Sequence, residues 1–271
     1  MPDNPSLNKR VLIVGALGVV LGFLAGFFLA NGINREEQEK LRAELATTRA
    51  GRETAQQQGS GAGKTQPTSA PGGDSSPSLS EEQIVNAIKR ADQSPQDPEM
   101  QKKVGQGIFL YASETGNASY LPDGARILKR AHELDPKDYK TTVMAGDAQF
   151  LAERQGGGDA KLIAEARKLY EAALVLKPDD AVVRTKLGLT YFYDSPPNPQ
   201  RAVNEYRRAL QADPRQEMSL QSLAAALVET GALDEAARRL DELEKLNPSN
   251  AELPGLRTQL EQKRNAAKEK P

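Results

Sequence analysis

The side chains able to do chemistry are few in this chain. It has one histidine, His132, and no cysteine, so thiol nucleophiles, zinc–thiolate sites and two-histidine metal sites are excluded, and a Ser/His/Asp triad would rest on a single imidazole. No Ser or Asp near His132 recurs in a triad-like setting, so a packing or surface role fits it better than catalysis. Gly63-Lys64-Thr65 imitates the end of a phosphate-binding loop. That motif needs its first glycine at position 58, where Gln58 stands, and it needs a strand before it and an apolar helix after it. Asp135-Pro136, Asp213-Pro214 and Asn247-Pro248 resemble clustered acids and amides, but each reads as a helix end where Pro stops one helix and a following Asp or Ser caps the next. The inventory predicts no catalytic residue, no cofactor and no metal site.

The elements that would position any site divide the 271 residues into unequal parts. Lys plus Arg total 36 against 37 Asp plus Glu, a net charge of −1. No basic excess is present to neutralise phosphates, so nucleic acid is not an expected partner. Val11 to Ala30 are twenty consecutive uncharged, mostly apolar residues, about 30 Å of helix, enough to span a bilayer core. This length favours an uncleaved anchor over a signal peptide, although Ala30 and Gly32 stand where a cleavage enzyme could accept them. Lys9 and Arg10 on the short side predict a cytoplasmic N-terminus (1–10), a transmembrane helix (11–30) and an exported remainder. Gly18, Gly22 and Gly26, with Ala30, share one helix face and would let another membrane helix approach closely, which makes a homo-oligomer conceivable. Residues 31–58 read as a juxtamembrane helix or short stalk. Residues 59–79, nearly all Gly, Ser, Pro, Ala, Thr and Gln, read as a disordered linker.

A folded domain is expected over 80–268. Ser80 and Gln83 form a capping-box pair, and Leu79 can staple onto Ile84. Pro136, Pro178, Pro214 and Pro248 are spaced by 42, 36 and 34 residues, and aligning on them brings out a repeat. Five residues before each stand Ala131, Ala173, Ala209 and Leu243. Eight before stand Leu128, Tyr170, Tyr206 and Leu240, and twelve before stand Gly124, Ala166, Ala202 and Ala236. A further helix precedes each of these, marked by Val104-Gly105, Ala145-Gly146, Leu187-Gly188 and Leu223-Ala224. The small residues of the two helices are 19, 20, 14 and 12 apart, which puts every extra residue in the turn inside a repeat.

These columns resemble the tetratricopeptide repeat, a 34-residue helix-turn-helix with Leu-Gly and Tyr in its first helix, then Ala, Phe and Ala in its second, and a closing Pro. The clearest copy has Leu187, Gly188, Tyr191, Ala202, Tyr206, Ala209 and Pro214. The early tryptophan of the family is absent, since the chain has none. The expected fold is all-α: a superhelix of about four repeats (98–137, 138–179, 180–215 and 216–249), because a helix pair cannot bury its apolar face alone. Ser80 to Asp92 would cover one end, and a cap helix at 251–268, carrying Leu253, Leu256 and Leu260, the other. Tyr170, Tyr191 and Tyr206 fall in core columns.

In such families a peptide or extended protein segment commonly lies against the inward face of the first helices. Carried over by register, the resemblance implies partner contacts at Lys102, Gln106, Phe109, Asp147, Lys186, Leu189 and Gln221. The carboxylate clamp known in some members is not reproduced, since Leu189 and Ala225 stand where polar amides are needed. The long turns Thr115 to Asp123 and Gly156 to Lys161 are the alternative contact surface. The expected function is a non-enzymatic, membrane-anchored adaptor in the bacterial inner membrane, its repeats periplasmic, holding a protein partner during assembly of an envelope complex. An anchor followed by exported repeats is similar to cytochrome c maturation factors of the tetratricopeptide type. The competing expectation is a self-associating structural component with no dedicated peptide ligand.

Overall fold

The computed structural model describes residues 80–156 and 161–268. The expected transmembrane helix, stalk and linker lie outside the described residues, and so do Gly18, Gly22 and Gly26. Among the described residues no helix is long and apolar enough to cross a membrane.

Each helix begins and ends where local chemistry directs it. Helix α1 (Glu81–Gln93) opens on a reciprocal capping box: the Gln83 amide donates to Ser80 Oγ at 3.3 Å, and the Ser80 amide to Gln83 Oε1 at 2.9 Å. Helix α2 (Pro98–Thr115) starts with Pro in its first turn and Asp97 accepting from the Met100 amide at 3.0 Å. It stops at Gly116, whose φ of 68° favours a residue without a Cβ. A 3-10 turn (Ala118–Tyr120) leads into α3 (Leu121–Leu134), followed by α4 (Tyr139–Gly156), α5 (Lys161–Leu176), α6 (Ala181–Phe192), α7 (Pro199–Ala212), α8 (Glu217–Thr230), α9 (Leu233–Leu246) and α10 (Leu253–Lys268).

The Asx-Pro sites are indeed structural, but they do more than stop a helix. Asp135, Asp213 and Asn247 each donate their amide to the carbonyl four residues back. Their side-chain oxygens then accept the amides of Lys137, Arg215 and Ser249 at 3.0–3.2 Å, fixing a turn. The next helix is started by a second polar residue further on. Asp138 takes the Thr141 amide at 3.2 Å, Asp180 the Val183 amide at 2.9 Å, and Gln216 the Ser219 amide.

The architecture is the all-α superhelix of tetratricopeptide type: α2/α3, α4/α5, α6/α7 and α8/α9 are hairpins, and each second helix packs on the first helix of the next pair. The columns read from the sequence meet each other. A Cβ built on Gly146 would lie 2.7 Å from the Tyr170 ring, one on Gly105 2.8 Å from Leu128, and one on Gly188 closer still to the Tyr206 ring. Tyr170 and Tyr206 are fully buried. One hydrophobic core runs from Phe109 to Leu260 and includes Leu253, Leu256 and Leu260 of the closing helix. A small second cluster of Ile84, Ala91, Ile108 and Ile127 seats α1 on the first repeat.

The close approach at Gly188 gives a prediction of sign. Alanine is favoured over glycine in a helix by about 1 kcal/mol. At Gly107, where a Cβ would meet nothing within 4 Å, Gly107→Ala should stabilise by about that amount. Gly188→Ala drives a methyl into the Tyr206 ring and should destabilise by about 1–3 kcal/mol. Adding Tyr206→Leu, which recreates the Ala224/Leu240 combination of the fourth repeat, should recover part of that loss. Urea unfolding of the three variants measures all of this, and equal effects of both alanines would refute the close contact.

Candidate binding face of the first helices

Helices α2, α4, α6 and α8 form one row of the array, α2 packing on α4 and α6 on α8, and the repeat resemblance makes that row the inner side. Gly146 and Gly188 point at the second helices of their own repeats, so residues on the far side of α4 and α6 form the inner face. Charge and exposure change along it. At the first repeat the face is polar and open: Lys103 is exposed and Gln106 half-buried, and Lys102 Nζ donates to Asp138 Oδ2 at 2.6 Å. That hydrogen bond raises the Lys102 pKa above its ordinary value and outweighs its desolvation.

Further along, the expected contact residues are enclosed. Phe109 is 4 % exposed and Leu189 5 %, both in the main core. Gln221 is buried and accepts from Asn250 Nδ2 at 3.3 Å. Asp147 and Lys186, placed on this face by register, are brought together: Lys186 Nζ donates to Asp147 Oδ2 at 2.7 Å, and both side chains are almost completely buried. Tyr170 donates its hydroxyl to Asp147 Oδ1 at 2.8 Å. Sequence reasoning treated these five as side chains open to a peptide. The structure encloses all five: Phe109 and Leu189 in the apolar core, Gln221 beside Asn250, and Asp147 and Lys186 because their opposite charges, with the Tyr170 phenol, satisfy one another.

Burial pushes the Asp147 carboxyl above the usual carboxylate range, while Lys186 and Tyr170 pull it down. Tyr170 is raised well above its ordinary value, chiefly by desolvation. His132 is half-buried on α3, and its pKa is lowered by desolvation. Its Nδ1 lies 2.9 Å from Thr142 Oγ1, and because that hydroxyl donates to the Asp138 carbonyl, Nδ1–H is the donor to Thr142. This is a packing contact. Among the described residues no group of acidic or histidine side chains is placed to hold a metal ion.

One aromatic cluster escaped the sequence reading, as did the two guanidinium groups around Tyr191. Phe150, Phe192 and Tyr193 form an edge-to-face cluster with centroids 5.1 and 6.0 Å apart, and the Arg154 guanidinium lies 4.3 Å from the Tyr193 ring. Burial pushes the Tyr193 phenol up to about 12. The available signal was register: Phe150 and Tyr193 stand four and five residues past the glycines of their repeats. Tyr191 is sandwiched by Arg167 and Arg201 at 4.3 and 4.4 Å and donates to Glu171 Oε1 at 3.3 Å. Of the long turns, the first folds back on α1 through Tyr120, which packs on Tyr111 and donates to Glu81. Residues 157–160 of the second lie outside the described residues.

No family profile matches the chain, and no curated protein does. Solved structures similar to it include the MamA protein, at 22% identity over 63% of this chain and 84% of that one, with a TM-score of 0.48. MamA from Desulfovibrio magneticus RS-1 is 19% identical over 63% of this chain and 87% of that one, TM-score 0.48. TTC0263, a thermophilic TPR protein in Thermus thermophilus, is 17% identical over 67% and 88%, TM-score 0.47.

The Asp147–Lys186 pair can be tested by a cycle. Asp147→Asn leaves a buried ammonium against a neutral amide, and Lys186→Met leaves a buried carboxylate. Each should cost about 3–5 kcal/mol, and the double variant should cost less than the sum of the two. The pH dependence of Lys186→Met has a definite sign. A carboxyl whose pKa is raised in the fold contributes fully below its unfolded value of about 3.9, and that contribution is lost as pH rises through the folded value. Relative to the double variant, Lys186→Met should therefore lose stability as pH rises above the unfolded value of about 3.9. Denaturant titrations across pH measure both effects, and strictly additive, pH-independent losses would contradict the pairing.

Proposed function

We propose that the chain is a non-enzymatic scaffold that holds a protein or peptide partner on its repeat array, anchored to the bacterial inner membrane through residues 11–30. The observation that carries this reading is the way the structure spends its chemistry. The one histidine donates to a threonine, and the buried Asp147–Lys186–Tyr170 network fixes one repeat against the next. What is left is an extended, modular surface, and such surfaces serve binding. The anchor, the cytoplasmic N-terminus and the periplasmic placement of the repeats follow from Val11–Ala30 and from Lys9 and Arg10. The partner class is a protein of an envelope complex under assembly, with apocytochrome in cytochrome c maturation as one candidate.

Crosslinking of the full-length chain in its own membranes tests the proposal, combined with a topology reporter fused after Pro271. The scaffold reading expects an exported reporter and crosslinks from the repeats to another envelope protein, unchanged in Gly22→Ile. Crosslinks only between copies of the chain, abolished by Gly22→Ile, would replace it with the self-associating structural component. A cytoplasmic reporter would remove the envelope role.

A further inference from the structure

Of the four second helices, α7 alone turns no exposed carboxylate outward. The other three carry exposed acids, among them Glu133, Glu171 and Asp234. The one acid of α7, Glu205, is buried, and Arg184 Nη1 donates to it at 3.3 Å. Arg207 is taken up by Glu235 of α9 at 2.6 Å. Two guanidinium groups are then left over. The Arg208 side chain is 62 % exposed and reaches Glu205 only at 3.5 Å. Arg201 is exposed, makes no ion pair among the described residues, and stacks on the Tyr191 ring at 4.4 Å. Both line an open trough of about 650 Å³, together with the exposed amides of Asn198, Gln200, Asn204 and Gln211.

We propose that this trough binds an acidic segment of a partner protein in an extended conformation. Arg201 and Arg208 stand two turns apart on one face of α7, about 10 Å along its axis. That separation matches two carboxylates about three residues apart in an extended chain. The carboxylates already present do not repel such a segment, because Glu205 and Glu235 are neutralised by Arg184 and Arg207. Stacking on Tyr191 holds Arg201 in place before a ligand arrives, which lowers the ordering cost of binding. The amides decide between classes of occupant. Gln200, Asn204 and Gln211 each offer donors and an acceptor, which suit the N–H and C=O groups of a peptide backbone. A phosphate surface supplies acceptors to the guanidinium groups and leaves the amide oxygens without donors. The proposal rests on the scaffold reading and adds the chemistry of the partner, on the side of the second helices rather than on the inner face.

The test is fluorescence anisotropy on the full-length chain in phosphatidylcholine nanodiscs, with labelled hexaglutamate as the probe and a Gly-Ser peptide of the same length as the control. Hexaglutamate should bind, and more weakly as salt is raised, because the guanidinium groups are exposed to screening. Arg208→Gln, a change at a mostly exposed side chain, should weaken it about three- to fivefold. Lys103→Gln, the same loss of charge at an exposed site on α2, should leave it unchanged. Absence of hexaglutamate binding, equal binding of the control peptide, or equal weakening by Lys103→Gln would overturn the proposal. Stronger competition by phosphatidylglycerol vesicles than by free hexaglutamate would overturn it in favour of lipid headgroups. Dimers of the chain that are lost in Arg208→Gln would overturn it in favour of a second copy. The scaffold reading fails on a different observation, the absence of crosslinked envelope partners in native membranes.

Discussion

How closely a first helix can approach its own second helix is decided by one side chain on each. Where the second helix carries the large Tyr170 or Tyr206, the first carries Gly146 or Gly188, with no room for a methyl. Where the second carries the smaller Leu240, the first carries Ala224. Size is balanced within these three pairs, whereas the first repeat sets Leu128 on Gly105, where a Cβ would again lie 2.8 Å away. The pair so formed still has apolar surface on its second helix. That surface is buried only when the next repeat arrives, and the last one only when α10 arrives with Leu253, Leu256 and Leu260. The four repeats and two end helices therefore depend on that first contact being made at the right depth.

Depth does not set order, and charge supplies what packing leaves open. Along the outer helices, the residue after each large side chain faces the residue before the small side chain of the next repeat. Lys129 meets Glu165 at 2.8 Å, Arg207 meets Glu235 at 2.6 Å, and Asp241 meets Arg257 of the closing helix at 2.9 Å. At the middle junction the signs are reversed: Glu171 and Arg201 meet through Tyr191, one accepting its hydroxyl and the other lying over its ring. Each such exposed contact is worth about 0–1 kcal/mol. Their value lies in what they forbid, since joining repeat one directly to repeat three would set Lys129 against Arg201.

Much of this was legible in the sequence because the repeat is its own control. Four proline-anchored copies made the small, large and small columns visible, and those columns turned out to be the residues in contact. Capping was only partly legible. Ser80–Gln83 is a local pattern and could be read directly, but Gln216 as a cap could not, since glutamine has no strong preference for that role. The inner face was the least legible part. Register put Asp147 and Lys186 on it, yet register says nothing about whether a face is wet. That depends on partners 39 residues apart in the case of Asp147 and Lys186, and on the hydroxyl of Tyr170, which the sequence had already assigned to the core. The aromatic cluster at Tyr193 was missed for a similar reason, because its members come from two repeats.

The same face carries the physical case for how this array can discriminate. It is graded: Glu99 and Lys103 of the first repeat are exposed, the middle is apolar and closed around a neutralised ion pair, and Glu229 of the fourth repeat is again exposed. A ligand meeting such a surface gains electrostatic steering only at the ends, where water screens each interaction. Its affinity has to come from apolar contact with the middle. Selection by charge and binding by burial are thus assigned to different stretches of one face. An uncharged helix can occupy the middle without satisfying the ends, and a fully polar chain can engage the ends without gaining the middle. Only a segment with an apolar centre and polar flanks uses the whole face.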